Sequence, residues 1–540
     1  MCAADAESIV EVLDLQAEAL GEEVFLTCDD QSLTYRDLRQ RSLRFASGLD
    51  HLGLEQGDRV AILSENSLEV IVSFFACARL GLIQVPLNIF LRGEFLRYQL
   101  EHSGSRAVIV DGLGLEAIEA LDPSVELAHV IVVGEESGAG RDSLGFDEVS
   151  RFDPGENHPT LSKGDTAAVV YTSGTTGMPK GCIIPHGVFT QTYGAYQGAG
   201  YVVPGDRLFT PAPMFHMGFL AGMLSTTLCS GASLHCTRRF SASSFMRTAR
   251  EIGATVIYAV GSVGMLLLAQ PPTPEDGDSG RLRVALLPPM APESQVEFER
   301  RFGVPVVAES YGQSESIPIT ISSVDVPRER GSAGRPGALC EVAIVDEQDN
   351  VLPAGEVGEI VVRPRKSHVM FEGYWKDPQA TLAAWRNLWH HTGDLGRQAP
   401  NGTLWIVDRK KDSIRRRGEN ISSTELEAAI ARHPAIREVA VHAVASELGD
   451  DEIKACVVAV GELDPVEIFA FFSRELPYFA VPRYLESMEA LPVNAVGRVR
   501  KQTLRERGVT KETWDFEAIG LTLGRDERRG QGTLAQRRGD

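Results

Sequence analysis

The stretch Ala167-Ala168-Val169-Val170-Tyr171-Thr172-Ser173-Gly174-Thr175-Thr176-Gly177-Met178-Pro179-Lys180-Gly181 decides how this chain is read. Its opening, Ala167 to Tyr171, has the apolar and β-branched character of a buried strand. The strand runs straight into a loop of glycines and hydroxyls that ends at Lys180. Glycine permits φ > 0 and close approach of the backbone, hydroxyls and exposed N–H groups donate to phosphate oxygens, and a lysine adds a mobile positive charge. Together these make a polyphosphate cradle. The spacing is not that of the P-loop G-x-x-x-x-G-K-[ST], because Gly177 stands three residues before Lys180 and Gly181 follows it.

Outward from this loop, Leu33 to Asn88 alternates a helix-like period over Tyr35 to Leu52 with short β-rich runs at Val60 to Leu63 and Ile83 to Pro86. Similar runs recur at Ala107 to Val110, Val130 to Val133, Thr255 to Tyr258 and Val284 to Leu287. Strands alternating with helices predict βα units and a mainly parallel sheet. Between Val342 and Arg363 the turn signals Asp349-Asn350 and Pro353-Ala354-Gly355 predict a β-rich hairpin subdomain. Beyond the basic cluster Arg409-Lys410-Lys411 and Arg415-Arg416-Arg417, Ser423 to His433 reads as a capped amphipathic helix in a small α+β domain. At 540 residues the chain exceeds one hydrophobic core. The predicted class is therefore α/β, a large N-terminal domain of parallel-rich sheets flanked by helices, with a β-rich subdomain and a small C-terminal domain.

Composition narrows the functional classes. With 43% hydrophobic and 24% charged residues the chain falls among soluble globular proteins. A net charge of -21 disfavours nucleic acid and anionic membrane as partners. The eight cysteines are scattered, with no C-x-x-C pair, and are expected as buried free thiols in a reducing compartment. The N-terminal Asp5, Glu7 and Glu11 are unlike a signal peptide. The most apolar helical candidate, Val70 to Ala78, falls well short of the roughly 20 residues that cross a bilayer. A cytoplasmic protein is expected, monomer or homodimer, acting on small molecules with no nucleic acid and no membrane.

The string Tyr171 to Gly181 resembles the phosphate-loop signature of the adenylate-forming superfamily, which holds acyl-CoA synthetases, peptide-synthetase adenylation domains and beetle luciferases. The resemblance extends over roughly Ser32 to Arg507 and implies ATP, Mg2+ and coenzyme A. It places Thr172, Ser173, Gly174, Thr175, Thr176, Gly177 and Lys180 around the phosphates. Tyr311-Gly312-Gln313-Ser314-Glu315 resembles the second signature, usually aromatic-Gly-x-Thr-Glu. There Tyr311 offers a face to adenine beside Gly312, Ser314 a hydroxyl to the α-phosphate, and Glu315 a carboxylate to Mg2+. Asp394, within Thr392-Gly393-Asp394-Leu395, and Arg409 resemble the ribose-binding pair, an ionised carboxylate being able to accept two hydroxyl bonds.

The resemblance further implies that the C-terminal domain is mobile, turning between an adenylation pose and a thiol-accepting pose about Lys411. The expected boundaries are 1–408 for the large domain, 409–411 for the hinge, 412–510 for the mobile domain and 511–540 for a largely disordered tail. Gly418-Glu419-Asn420 resembles the loop that enters the site for thiol access, with Arg415 to Arg417 set to meet coenzyme A phosphates. Phe215, His216, Met217 and Gly218 resemble the mouth of the acyl pocket, lined further by Gly261 and Pro288. Relatives that select amino acids carry Asp after that Phe, so His216 reads instead as a gate or wall. The segment Arg415 to Ser423 looks most like bacterial CoA ligases of the crotonobetaine/carnitine type. The implied function is an ATP-dependent carboxylic acid–CoA ligase, an AMP-forming acid–thiol ligase. Two alternatives stay open: the same adenylation loading a phosphopantetheinyl carrier protein, and a non-catalytic nucleotide-binding member.

One departure concerns rate. Most relatives carry Lys after the glycine that here is Gly497, and this chain has Arg498, with Lys501 a second candidate cation. The implied task, bridging the attacking carboxylate and the α-phosphate, is electrostatic, which a guanidinium performs with different geometry. Arg498→Ala is expected to slow ATP–pyrophosphate exchange by about 10²-fold while sparing thiol transfer from supplied acyl-adenylate, and Arg498→Lys to sustain exchange. Equal losses in both half-reactions would refute that role.

Overall fold

In the computed structural model the described residues are 5–122, 124–134, 143–155, 158–172, 178–409, 413–416, 419–446, 451–492, 499 and 501–523. Two seven-stranded sheets dominate the larger part. In one, Ser143–Gly145, His129–Val132, Ser105–Val110, Arg59–Leu63, Ile83–Pro86 and Thr166–Thr172 lie parallel in that order, and Lys180–Pro185 closes the edge antiparallel. In the other, Val306–Val307, Val284–Leu286, Val256–Tyr258, Arg207–Thr210, Ser233–Cys236 and Val24–Cys28 are parallel, with Gln31–Thr34 antiparallel at the end. The runs of alternating strand and helix in the sequence thus become two sheets, each mostly parallel with one reversed edge.

The largest hydrophobic cluster draws residues from both sheets and from the helix Leu68–Arg79. Apart from Glu69, every residue of that helix is buried, and Ser67 caps it through the Val70 N–H. This is why it is apolar all round yet short. The Tyr35–His51 helix instead has one buried stripe and a capping box between Thr34 and Asp37. Among the described residues no helix is long and apolar enough to cross a membrane.

The hairpin expected around 342–363 is present as Cys340–Val345 against Gly358–Pro364, extended by Trp389–Gln398 and Leu404–Arg409 into an antiparallel sheet. The C-terminal part holds the hairpin Ser413–Arg416 and Glu419–Ser422, the helix Ser423–Ile430, and a four-stranded sheet. That sheet corrects the expected tail. Thr513–Asp515 pairs with Tyr484–Ser487, and Phe516 is completely buried in the small domain's core, so the folded unit continues past residue 510. Residues 524–540 lie outside the described residues.

Gly261 shows how tightly the large domain closes around its site. A Cβ built there would stand 1.6 Å from the Pro289 carbonyl oxygen, a backbone atom that cannot swing away. Gly261→Ala is expected to destabilise the protein by about 1–3 kcal/mol, the usual cost of overpacking, measured by denaturant unfolding.

Candidate active site

The cradle sequence closes a hairpin and not a helix N-terminus. Thr172 stands opposite Lys180 in register. Ser173, Gly174, Thr175, Thr176 and Gly177 lie outside the described residues. The outer strand is flanked by Gly373-Tyr374-Trp375 through Ile183 N–H to Gly373 O at 2.9 Å and Trp375 N–H to Gly181 O at 2.7 Å. This backbone clamp sets Tyr374 beside the cradle. Lys180 Nζ sits 4.9 Å from the Tyr374 ring centroid, and the Tyr374 hydroxyl donates to Glu315 Oε1 at 2.9 Å. Burial, with the Glu315 carboxylate next in weight, pushes the Tyr374 phenol well above its ordinary range, so it remains a donor. Lys180 and Glu315, some 135 residues apart, are thereby tied into one patch through Tyr374.

A second network surrounds Asp394. Its Oδ2 accepts from the Tyr311 hydroxyl at 2.5 Å and from Gln313 Nε2 at 2.8 Å, while Gln313 also donates to Thr392 O at 3.0 Å. Asp394 is 4% exposed and stands opposite Arg409 in the antiparallel pair of Trp389–Gln398 and Leu404–Arg409. The adenine-facing aromatic and the ribose-binding carboxylate of the sequence reading are therefore joined side chain to side chain. Gly312 lies between Tyr311 and Gln313 at the exposed rim of their hairpin.

A third cluster crosses between the two parts of the chain. Glu419, on the C-terminal hairpin, accepts from Asn88 Nδ2 at 3.1 Å and lies 3.2 Å from His216 Nε2, all through Oε1. Burial lowers the His216 pKa, but the Glu419 carboxylate outweighs it and holds the imidazole above its ordinary value. Phe215 packs on the His216 ring with centroids 4.5 Å apart. The segment carrying them is held from behind by buried Asn66, which accepts from Met214 N–H at 2.8 Å and donates to Ala212 O and Thr237 O. A cavity of about 120 Å³ opens at the third cluster, with Thr172, Ser314, Phe215 and His216 on one side and Glu419 and Ile421 on the other. Glu425 also lines it, its carboxyl pushed up to about 8 by burial.

The remaining expected residues fall as follows. Met217 is buried, and Gly218 opens a π-helix, Gly218–Leu224, with the Tyr258 hydroxyl 2.8 Å from where a Cβ would stand. Gly261 donates its N–H to Pro288 O at 3.2 Å, so these two lie backbone to backbone. Asn420 pairs with Arg415 in the C-terminal hairpin. Lys411, Gly418 and Arg498 lie outside the described residues. Two charged residues differ from expectation. Arg416 is 3% exposed, its guanidinium spent on Glu452 and on the Phe479 and Val481 carbonyls, so it faces the core of the small domain and not a phosphate. Lys501 donates to Ser423 Oγ at 2.7 Å and pairs with Glu427 at 2.6 Å, which commits this second candidate cation to the start of a helix.

Four contributors escaped the sequence reading: Asn66, Asn88, Gln313 and Tyr374. Asn88 could have been suspected, since it follows the C-terminal end of a parallel strand, where ligands bind in open α/β sheets. Gln313 occupies the variable position of its motif, and Tyr374 and Asn66 act through partners distant in sequence.

The AMP-binding enzyme pattern matches residues 13–375, and the AMP-binding enzyme C-terminal domain pattern matches 425–498. The chain belongs to the AMP-binding enzyme family. It is 31% identical over 500 residues to the crotonobetaine/carnitine–CoA ligase of Salmonella typhi, covering 89% of this chain and 95% of that one. Among solved structures, this family member superposes with TM-score 0.80 and 27% identity on a double mutant of o-succinylbenzoate CoA synthetase from Bacillus subtilis bound with the product analogue OSB-NCoA, over 92% of this chain and 98% of that one. The same Bacillus enzyme in complex with its acyl-adenylate intermediate gives 0.65, at 27% identity and with 93% and 99% covered. Coverage is nearly equal in the two comparisons.

The His216–Glu419 pair carries a pH dependence. A group whose folded pKa is raised contributes fully below its unfolded value, about 6.5 for His, and loses that contribution as pH rises through the raised folded value. Glu419→Gln removes the raising cause and leaves the lowering one. NMR titration of the His216 ring is expected to show its pKa falling in that variant, whereas an unchanged value would show that Glu419 does not hold it.

Proposed function

We propose that this chain is an ATP-dependent carboxylic acid–CoA ligase, forming an acyl-adenylate and pyrophosphate and then an acyl-CoA thioester and AMP. The observation that carries the reading is the shared cavity, in which the cradle residue Thr172 and Ser314 of the second motif face Glu419 of the C-terminal hairpin. A site that must run two reactions on one intermediate needs the phosphate-binding groups and a movable wall at the same place.

In the first step a carboxylate oxygen attacks the α-phosphorus of ATP, the P–O bond to pyrophosphate breaks, and the mixed anhydride forms. Such chemistry depends on positioning and charge neutralisation more than on a dedicated base. We assign Lys180 and Thr172 to the phosphates, Ser314 to the α-phosphate, Tyr311 to the base, and Asp394 with Arg409 to the ribose. Glu315 suits Mg2+. Among the described residues no group of three or more His, Cys, Asp or Glu is placed to hold a metal alone. A single carboxylate fits an ion that takes its other ligands from phosphates and water. When bound, Mg2+ neutralises charge on the departing pyrophosphate, and Tyr374 keeps the Glu315 carboxylate oriented toward it.

In the second step a thiol sulfur attacks the acyl carbonyl, the thiol proton is lost and AMP leaves. Here Glu419 holds the His216 ring at the cavity wall, where it acts as a gate between the acyl site and the thiol's approach. Gly418 and Asn420 flank that carboxylate, and Lys411 serves as the hinge of the C-terminal domain. Phe215, Met217, Gly218, Gly261 and Pro288 shape the acyl side. The acid is one without need of an anionic anchor at His216, and the crotonobetaine/carnitine relative makes betaine acids the first to try. Among the described residues seven cysteines are free and buried, which suits a reducing cytoplasm.

ATP–pyrophosphate exchange across short, medium, aromatic and betaine acids, followed by AMP release with and without CoA, tests this reading. At least one acid is expected to support both. Lys180→Ala and Glu315→Gln should each lower exchange by about 10²–10³-fold with the fold intact. AMP release that needs a phosphopantetheinyl protein and ignores CoA would reassign the acceptor, and no exchange with any acid would overturn the ligase reading.

A further inference from the structure

The segment following the Ile83–Pro86 strand, which brings Asn88 to Glu419 at the cavity, also meets the C-terminal part at further points. Asn88 sits in a tight turn, its Oδ1 accepting from Phe90 N–H at 3.0 Å and its carbonyl accepting from Leu91 N–H at 2.9 Å. The turn leaves Nδ2 pointing to Glu419. Phe90 meets Tyr478 edge to face, with centroids 4.4 Å apart and planes at 75°. Phe90 and Phe95 both pack against the hydrophobic core of the C-terminal domain. Glu94, on the helix Gly93–Ser103, feels the positive charge of Arg432, just beyond the helix Ser423–Ile430. The same helix is tied to the end of the phosphate loop, since the Tyr98 hydroxyl donates to Pro179 O at 3.3 Å.

The contacting partners come from two separate places in the small domain, the 413–422 hairpin and the loop at Tyr478. A rotation of that domain cannot keep both. The contacts are therefore specific to one pose. That pose is the one resembling the product-analogue complex, at 0.80 against 0.65 for the adenylate complex of the same enzyme. A T-shaped aromatic pair and a charge-assisted hydrogen bond are directional, so they favour one orientation where a greasy face would tolerate several.

We propose that Asn88, Phe90 and Phe95 form a docking strip that selects the thiol-accepting pose, with Tyr478 and Glu419 as its counterparts. Phe90 and Tyr478 are positioning residues: neither lines the cavity, and they act by holding Glu419 against His216. The strip governs the second half-reaction and leaves the first alone. This inference rests on the two-step ligase reading for its kinetic consequence, and on geometry alone for the pose.

Two arms keep these apart. In the first, the full chain carrying Phe90→Cys and Tyr478→Cys is treated with a short bismaleimide, and the internal crosslink is quantified by peptide mass spectrometry, with wild type as the control for the native cysteines. High yield is expected, falling by about threefold or more when Asn88→Ala is added, as loss of a charge-assisted bond predicts. No crosslink, or a yield indifferent to Asn88, overturns the strip. In the second, Phe90→Ala and Tyr478→Ala are expected to slow thioester formation from supplied acyl-adenylate by about tenfold while pyrophosphate exchange stays within about twofold. Phe90→Leu and Tyr478→Phe, which keep the bulk, should recover most of the rate. Equal slowing of both half-reactions, or of neither, refutes the proposal. If wild type supports exchange with no acid, the ligase reading falls and the crosslinking arm alone decides the strip.

Discussion

The Glu419 carboxylate is the interaction on which the arrangement of this molecule turns. It arrives from the small domain, it is only 16% exposed at its side chain, and it meets two groups of the large domain through one oxygen. A carboxylate carried that far out of water is costly unless hydrogen bonds replace the hydration it loses. Asn88 and His216 replace it, and in doing so they determine where the small domain can sit. The raised His216 pKa is the other face of the same fact, since the imidazolium is favoured only because that carboxylate is present.

Around this contact the large domain is built to stay still. Asn66 uses its amide in both senses to hold the His216 segment, and the clamp of Gly373-Tyr374-Trp375 along the cradle strand holds Tyr374, which in turn orients Glu315. Tyr311 and Gln313 do the same for Asp394. Donors and acceptors already aligned before a substrate arrives need no reorganisation when charge moves during reaction. Buried networks of this kind strengthen one another in a low dielectric but lose heavily if one member is removed. The small domain faces the large one across a shared cavity, which suits presenting one intermediate to two different attackers.

Much was legible in the chain itself because the responsible physics is local. Glycines and hydroxyls around Lys180 announce their chemistry within a few residues, and the Tyr311 to Glu315 string and the Asp394 turn gain theirs from their resemblance to family motifs. The apolar runs placed seven of the parallel strands within a residue or two, because a strand buried on both faces must be apolar along its whole length, while the short strands Val24–Cys28, Ser143–Gly145, Arg207–Thr210, Ser233–Cys236 and Val306–Val307 went unmarked. Other features are set by partners far away. Arg415 and Arg416 are indistinguishable in type, but alternation along a strand turns one toward solvent and buries the other on Glu452. Phe516 sits in a polar-looking stretch and is completely buried because a strand more than twenty residues upstream accepts its neighbour as an edge.

The sequence by itself determined the polyphosphate cradle, the fold class and the need for a second domain, since each follows from backbone permissiveness, hydrogen-bonding capacity and hydrophobic period over short windows, and the resemblance of its motifs added the nucleotide. Only the tertiary structure decided that Asn88 belongs with Glu419, that Lys501 is engaged at the helix beginning with Ser423, and which of two poses the small domain adopts. Those outcomes depend on contacts between residues dozens to hundreds of positions apart. Nothing in either residue's neighbourhood encodes the meeting; the packing of two cores brings the partners within hydrogen-bonding distance.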